Sequence, residues 1–181
     1  MTLDDGRCID VNETFKEDKA EARSVDIAAV LREAIEFLRA SVPATIEFEV
    51  RIAPAATVLG DTNQLHQVFM NFVTNAAQAI GTVMGTISVS LSPARKRAPG
   101  DEAGLREWIR PSVADTGCGM DEATAARIFD PFFTTRDVGR GTGLGLSVVH
   151  GIVARHAGHI DVESTLGSGT MFKVYFPAAA T

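Results

Sequence analysis

Cysteine is nearly absent from this chain, with only Cys8 and Cys118 among its 181 residues. Two thiols so placed offer neither a disulfide framework nor a metal-ligand spacing, and they suit a reducing compartment. The phosphate-loop pattern G-x-x-x-x-G-K-[ST] is missing. So is G-x-G-x-x-G, because a run opening at Gly139 or Gly141 reaches Leu144 or Leu146 where its last glycine belongs. A basic excess is missing too: 17 Lys and Arg face 23 Asp and Glu, for a net charge of -6. That balance argues against nucleic acid or an anionic membrane as partner. From Thr62 to Ala94 there is no charged residue at all, but Gln64, Gln67, Asn71, Asn75 and Gln78 interrupt the stretch and Gly81 and Gly85 follow. Unsatisfied amides are costly in lipid, so the stretch reads as a buried helix and a strand rather than a membrane span. No signal-peptide pattern opens the chain, and the expected location is cytoplasmic.

What is present suits one domain: the length is ordinary and 45% of residues are apolar, enough for one core. From Val25 to Pro43 a helical period places Ile27, Val30, Leu31, Ala34, Ile35 and Leu38 on one face. Ile46 to Ile52 alternates as a half-buried strand. Asp61 with Gln64 three residues on has the form of a capping box, opening a helix that runs to about Ile80. Thr86 to Leu91 alternates again, and Pro93 to Leu105 reads as a polar connection. Trp108 to Asp115 reads as a strand in which Pro111 withdraws a ladder donor. A short helix from Asp121 to Phe129 and a glycine-rich segment follow, then a helix from Gly143 to His156 closed by Gly158. Strands at Ile160 to Ser164 and Thr170 to Phe176 are joined by Thr165-Leu166-Gly167-Ser168-Gly169, which has hairpin chemistry. The expected class is α/β, a mixed sheet covered on one face by helices.

Gly139-Arg140-Gly141-Thr142-Gly143-Leu144-Gly145-Leu146 concentrates the chemistry. Glycine at alternate positions lets backbone N–H groups converge on an anion at a helix start, and Arg136 and Arg140 supply local positive charge. On the Asp61 helix the stripe Gln64, Gln67, Asn71, Asn75, Gln78 is all amide. It fits an enclosed polar surface where an Asn carbonyl helps hold a phosphate-bound magnesium, or equally a set of amides satisfying buried backbone. Asp115, beside Gly117 and Gly119, can accept from the exocyclic amine of adenine, or simply close an Asx turn. Phe129, Phe132 and Phe133 around Pro131 make an aromatic latch or plain core. His66, His150, His156 and His159 show no metal spacing and read as structural.

Taken in order, Asn71-x-x-x-Asn75-Ala76, Asp115-x-Gly117-x-Gly119, Phe129-x-Pro131-Phe132-Phe133, Gly141-Thr142-Gly143-Leu144-Gly145 and Gly167-x-Gly169-Thr170 resemble the ATP-binding catalytic domain of bacterial sensor histidine kinases over about residues 60 to 177. Phe132-Phe133-Thr134-Thr135-Arg136 and Asn75-Ala76-Ala77-Gln78-Ala79 look most like the nitrogen-regulator subgroup, which includes PAS-linked and hybrid kinases. The resemblance implies a Bergerat-type two-layer sandwich that uses ATP and Mg2+. It implies Asn75 as the magnesium ligand with Asn71 beside it, Asp115 on the adenine amine, Gly117 and Gly119 shaping the base pocket, and Thr170 helping to hold the base. Gly141, Thr142, Gly143, Leu144 and Gly145 would wrap the phosphates, with Arg136 and Arg140 at the γ-phosphate and Asn71 and Arg136 as the catalytic pair.

Relatives on this fold that hydrolyse ATP carry a glutamate where Asn71 stands, so phosphoryl transfer to an imidazole is the implied chemistry. None of the four histidines has the sequence surroundings of a phosphoacceptor. The implied partners are therefore a histidine-bearing dimerisation domain of the parent kinase and, downstream, a response-regulator receiver domain, with the segment itself monomeric. Asp5 to Asn12 resembles the opening of a PAS sensor domain. Residues 1–24 read as a linker, 25–177 as the catalytic domain and 178–181 as a tail. A non-catalytic ATP-sensing module of a degenerate kinase is the alternative function.

Overall fold

The computed structural model describes residues 23–53, 56–97, 105–135 and 143–179. The helical pattern starting at Val25 conceals a short strand, β1 (Arg23–Asp26), in which Val25 is already buried. Asp26 then caps α1 (Ile27–Arg39), its carboxylate accepting from the Ala28 N–H at 2.8 Å. β1 pairs antiparallel with β3 (Thr57–Gly60), a strand of four residues that is too short to show an alternation in the sequence.

The main sheet has five strands in the order β2-β4-β5-β7-β6. β2 (Ile46–Ile52) occupies the span its alternation predicts and lies parallel to β4 (Gly85–Lys96). β4 runs further than expected, past Pro93, which faces Ile109 of the antiparallel β5 (Arg106–Asp115). Pairing with a neighbour carries it through residues whose local preference is for a loop. The pairing of β5 with β7 (Gly169–Pro177) is interrupted between Ile109 and Ser112, where Pro111 lacks its N–H. β6 (His159–Thr165) closes the edge against β7.

Ile87, Val89 and Leu91 of β4, Val113 of β5 and Phe172, Val174 and Phe176 of β7 are buried on one face. They meet α2 (Thr62–Ile80), while α1 packs along α2 and α4 (Gly145–Arg155) lies beside it. Phe72 of α2 stacks on Phe172 with ring centroids 4.7 Å apart. Each such aromatic contributes roughly 1.5–3 kcal/mol by leaving water. This is the expected two-layer α/β sandwich, completed by the one-turn α3 (Glu122–Ala125).

Two helix ends differ from the sequence reading. Asp61 does cap α2, accepting from the N–H groups of Asn63 and Gln64 at 2.8 and 3.0 Å. The return half of the capping box is not made by Gln64, because the Asp61 N–H donates instead to His156 Nε2 at 3.1 Å. At the end of α4 the left-handed residue is Ala157, with φ 53°, and the following Gly158 donates its N–H to the Val153 carbonyl. The ends of the described chain are tied in as well. Arg23 and Ser24 belong to β1, and Ala178 and Ala179 donate to the carbonyls of Glu107 and Thr57, joining the two sheets. Among the described residues no helix is long and apolar enough to cross a membrane.

Candidate functional site

A cavity of about 720 Å³ opens between α2, the end of β5 and the residues leading into α4, within the range of small-molecule sites. Its lining includes Asn71, Asn75, Asp115, Gly119, Phe133, Gly143, Gly145 and Thr170, residues spread over a hundred positions of sequence.

At one end stands Asp115, the last residue of β5, only 9% exposed. Its carboxylate accepts from the Gly117 N–H at 2.8 Å, so the Asx turn forms, and the Thr170 N–H also bonds to it. Burial raises its pKa above the ordinary carboxylate value, and the bonds from Gly117 and Thr170 pull the other way. Turn and ligand acceptor are thus compatible roles for one carboxylate. The loop after it is held by three further bonds: Cys118 N–H to the Ala79 carbonyl at 3.1 Å, Gly167 N–H to the Cys118 carbonyl at 2.7 Å, and Met120 N–H to Ser164 Oγ at 2.8 Å. Gly119 has φ +62° and sits where a Cβ would stand 2.0 Å from the Thr165 carbonyl oxygen, so no side chain fits there. Gly117 is buried behind this loop against Ala79 rather than on the cavity wall. Thr170, buried, shares a hydrogen bond with Ser164 through their hydroxyls at 2.9 Å.

At the other end, one turn of α2 apart, are Asn71 and Asn75. Asn71 donates its Nδ2–H to the Gln67 carbonyl at 2.9 Å. That leaves Oδ1 turned toward α4, where a Cβ on Gly145 would meet it at 2.8 Å. Only the C-terminal part of the amide stripe, Asn71, Asn75 and Gln78, faces the cavity, and Gln64 and Gln67 do not line it. No Lys or Arg is among the described residues of the lining. Arg136, Arg140, Gly141 and Thr142 lie outside the described residues, as does the PAS-like stretch from Asp5 to Asn12. Thr134, Thr135 and Gly143, from the flanks of 136–142, line the cavity, while Leu144 precedes α4 as its N-cap without lining it.

The three phenylalanines divide. Phe129 and Phe133 pack against the core, Phe133 also lining the cavity under the Arg127 guanidinium at 4.5 Å. Phe132 is 74% exposed with φ +65°, so it is no part of an inward latch; its N–H donates to the Gly143 carbonyl at 3.0 Å and turns the side chain out. Sequence reasoning missed Thr74, Cys118, Met120, Thr124, Ile128 and Phe172 in the lining, and Ser164 behind it. Thr74 alone had a readable signal, three residues from Asn71 on the same helix face.

Among the described residues no group of three or more His, Cys, Asp or Glu gathers into a metal cage. The cavity offers neutral amide oxygens instead, which fits an ion held chiefly by substrate phosphates with one or two protein oxygens.

Residues 60–180 match the family described as histidine kinase-, DNA gyrase B-, and HSP90-like ATPase. A putative sensor protein of Shewanella frigidimarina is 41% identical over 126 residues, covering 70% of this chain and 18% of its own length. The sensory histidine kinase/phosphatase NtrB of Rhodobacter capsulatus is 40% identical over 124 residues, 67% of this chain and 34% of that protein. Full-length ShkA, solved in complex with AMPPNP, superposes with a TM-score of 0.71 at 31% identity, over 89% of this chain and 32% of that one. The chain thus spans between 18% and 34% of the length of these proteins. With the profile, the relatives and the solved structure in agreement, the chain belongs to the histidine kinase-, DNA gyrase B-, and HSP90-like ATPase family, on the branch of the sensor histidine kinase catalytic domains.

Proposed function

We propose that the chain binds Mg-ATP and donates its γ-phosphoryl group to a histidine on a separate dimerisation domain, from which it passes to a response-regulator receiver in a two-component pathway. The observation that carries this is the pairing, in one cavity, of a buried acceptor, Asp115, with the amides Asn71 and Asn75 at the opposite end. Asp115 takes the adenine amine, Gly119 and Thr170 bound the base, and Phe172 supplies apolar floor. Asn75 holds the magnesium with Asn71 beside it, and Gly143 and Gly145 present backbone at the start of α4 to the phosphates. Arg136 and Arg140 bring positive charge to the γ-phosphate, and Gly141 and Thr142, next in sequence, contribute to wrapping the phosphates. Bound magnesium neutralises phosphate oxygens and fixes their geometry. The complex of ShkA with AMPPNP, an ATP analogue, supports a nucleotide as ligand.

The transfer forms a bond between an imidazole nitrogen and the γ-phosphorus and breaks the bond to the β,γ-bridging oxygen, releasing ADP. Asn71 is no general base, so water is left unactivated and hydrolysis is slow. The catalytic unit is residues 25–177, joined at β1 to what precedes it, and its place is the cytoplasm.

Labelled ATP supplied to the chain alone, and to the chain with the parent's histidine-bearing helices, tests the reading. Acid-labile label is expected only on the added helices, with a Kd for Mg-ATP of about micromolar to millimolar. Binding without transfer favours an ATP sensor; no calorimetric or thermal response to millimolar Mg-ATP refutes the nucleotide site.

A further inference from the structure

Two helices border the phosphate end of the cavity, and they meet at two places, the middle and the N-terminus of α2. Near the cavity, Gly145 at the start of α4 lies against Asn71 Oδ1 so closely that a Cβ would come within 2.8 Å. At the far end, the Asp61 N–H, at the N-cap of α2, donates to Nε2 of His156, at the C-cap of α4, at 3.1 Å. Asp61 to Asn71 is ten residues, about 15 Å of helix, and Gly145 to His156 is eleven, about 16 Å. The first ten residues of α2 and the whole of α4 are therefore antiparallel spans of nearly equal length, in close approach at one end and hydrogen-bonded at the other.

The far pin is a built fitting. The His156 ring has Nδ1 2.8 Å from the Ile152 carbonyl, an obligate acceptor, and Nε2 facing the Asp61 N–H, an obligate donor. Only a neutral ring with its proton on Nδ1 satisfies both. Gly60 makes the room: a Cβ there would lie 2.3 Å from His156 Cδ2, and Phe176 closes the other side edge-on at 6.0 Å.

We propose that His156 is a positioning residue: by holding Asp61 it sets the axial register of α4 against α2, and so the placement of the phosphate-wrapping backbone at Gly143 and Gly145 relative to Asn71 and Asn75. The effect on nucleotide rests on the function proposed above; the register itself does not. His156 touches neither the cavity nor any phosphate position, and it acts through Asp61 and the two helices.

Nitrogen-15 long-range correlation spectra of the full chain should show the His156 proton on Nδ1 with Nε2 bare; a proton on Nε2 overturns the proposal. In His156→Gln the side-chain oxygen reaches the Asp61 N–H, whereas His156→Phe fills the ring's space without an acceptor. The Gln variant should keep the Mg-ADP Kd within about twofold. The Phe variant should shift the side-chain amide signals of Asn71 and weaken Mg-ADP roughly tenfold, the scale of one hydrogen bond's worth of positioning. A Phe variant that lowers only the melting temperature, with Asn71 signals and Kd as in the parent, overturns it. Should the Phe variant not fold, His156→Asn, too short to reach Asp61, takes its place with the same expectations. If the parent chain itself takes up no Mg-ADP, the nucleotide reading fails, and the ring tautomer with the Asn71 signals still decides the role of His156.

Discussion

The two ends of the cavity are made differently. At the Asp115 end, backbone and side chains bond to one another before any ligand arrives: Gly117 and Thr170 to the carboxylate, Cys118 to Ala79, Gly167 to Cys118, Met120 to Ser164. At the Asn71 end the described lining is neutral amide and glycine backbone, with no cation. A base is flat, uncharged and unchanged by the reaction, so its site gains from being preformed. On the proposed function a triphosphate carries charge that these amides do not balance, so that end would depend on a metal ion brought with the ligand and on the positive charge proposed for Arg136 and Arg140. Under the proposed function, selectivity would belong to the first region and metal-dependent affinity to the second.

The hardest blow to the preformed end is Gly119→Ala, since a Cβ there meets backbone 2.0 Å away at φ +62°. The loss should be about 3 kcal/mol of fold stability, read by denaturant titration. An unchanged unfolding midpoint would show that the loop adapts, erasing the contrast.

Asp115→Asn should come next, weakening adenine nucleotides by roughly 1.5–3 kcal/mol in calorimetry, as when a charge-assisted hydrogen bond is lost. The unliganded fold should not share that loss. Because burial raises the Asp115 pKa, the folded chain holds a proton that the unfolded chain has released. Its contribution to stability is thus fully present below the ordinary value of 3.8 and is lost as pH rises through the raised one. Replacing the carboxylate should remove that slope. Parallel losses of binding and melting temperature would instead make Asp115 purely structural.

At the other end, Asn75→Ala should weaken Mg-ATP by about 1–2 kcal/mol while leaving adenosine unaffected. Chelating the metal should act in the same direction, weakening ATP and sparing adenosine. Equal effects on both ligands would merge the two ends into one site without division of labour.

The smallest effect sharpens the comparison by serving as its control. On the outer face of the sheet His159 stacks on Tyr175 at 4.5 Å and meets the edge of Trp108 at 4.8 Å, with Lys96 and Asp161 paired beside it. Burial, then the Lys96 charge, lower its pKa, against the pull of Asp161. A lowered pKa means its contribution is fully present above the ordinary value of 6.5 and is lost as pH falls through the lowered one. Stability should rise gently with pH in that window, and His159→Gln should flatten the slope without changing nucleotide affinity. A change in affinity would tie the outer face to the cavity.

Much of the molecule was legible locally. The period of two over Ile46 to Ile52, the Asp61 cap, the amide stripe and the order of the glycine motifs are signals within a few residues of one another, and sequence alone determined them together with the fold class. The tertiary structure decided what depends on distant partners. It paired Arg23–Asp26 with Thr57–Gly60, carried β4 past Pro93 and turned Phe132 outward. It gave the Asp61 N–H to a ring 95 residues away rather than to Gln64. The physical reason is common to these cases: a buried donor or a short strand takes whatever partner packing brings to it, and packing is a property of the whole chain.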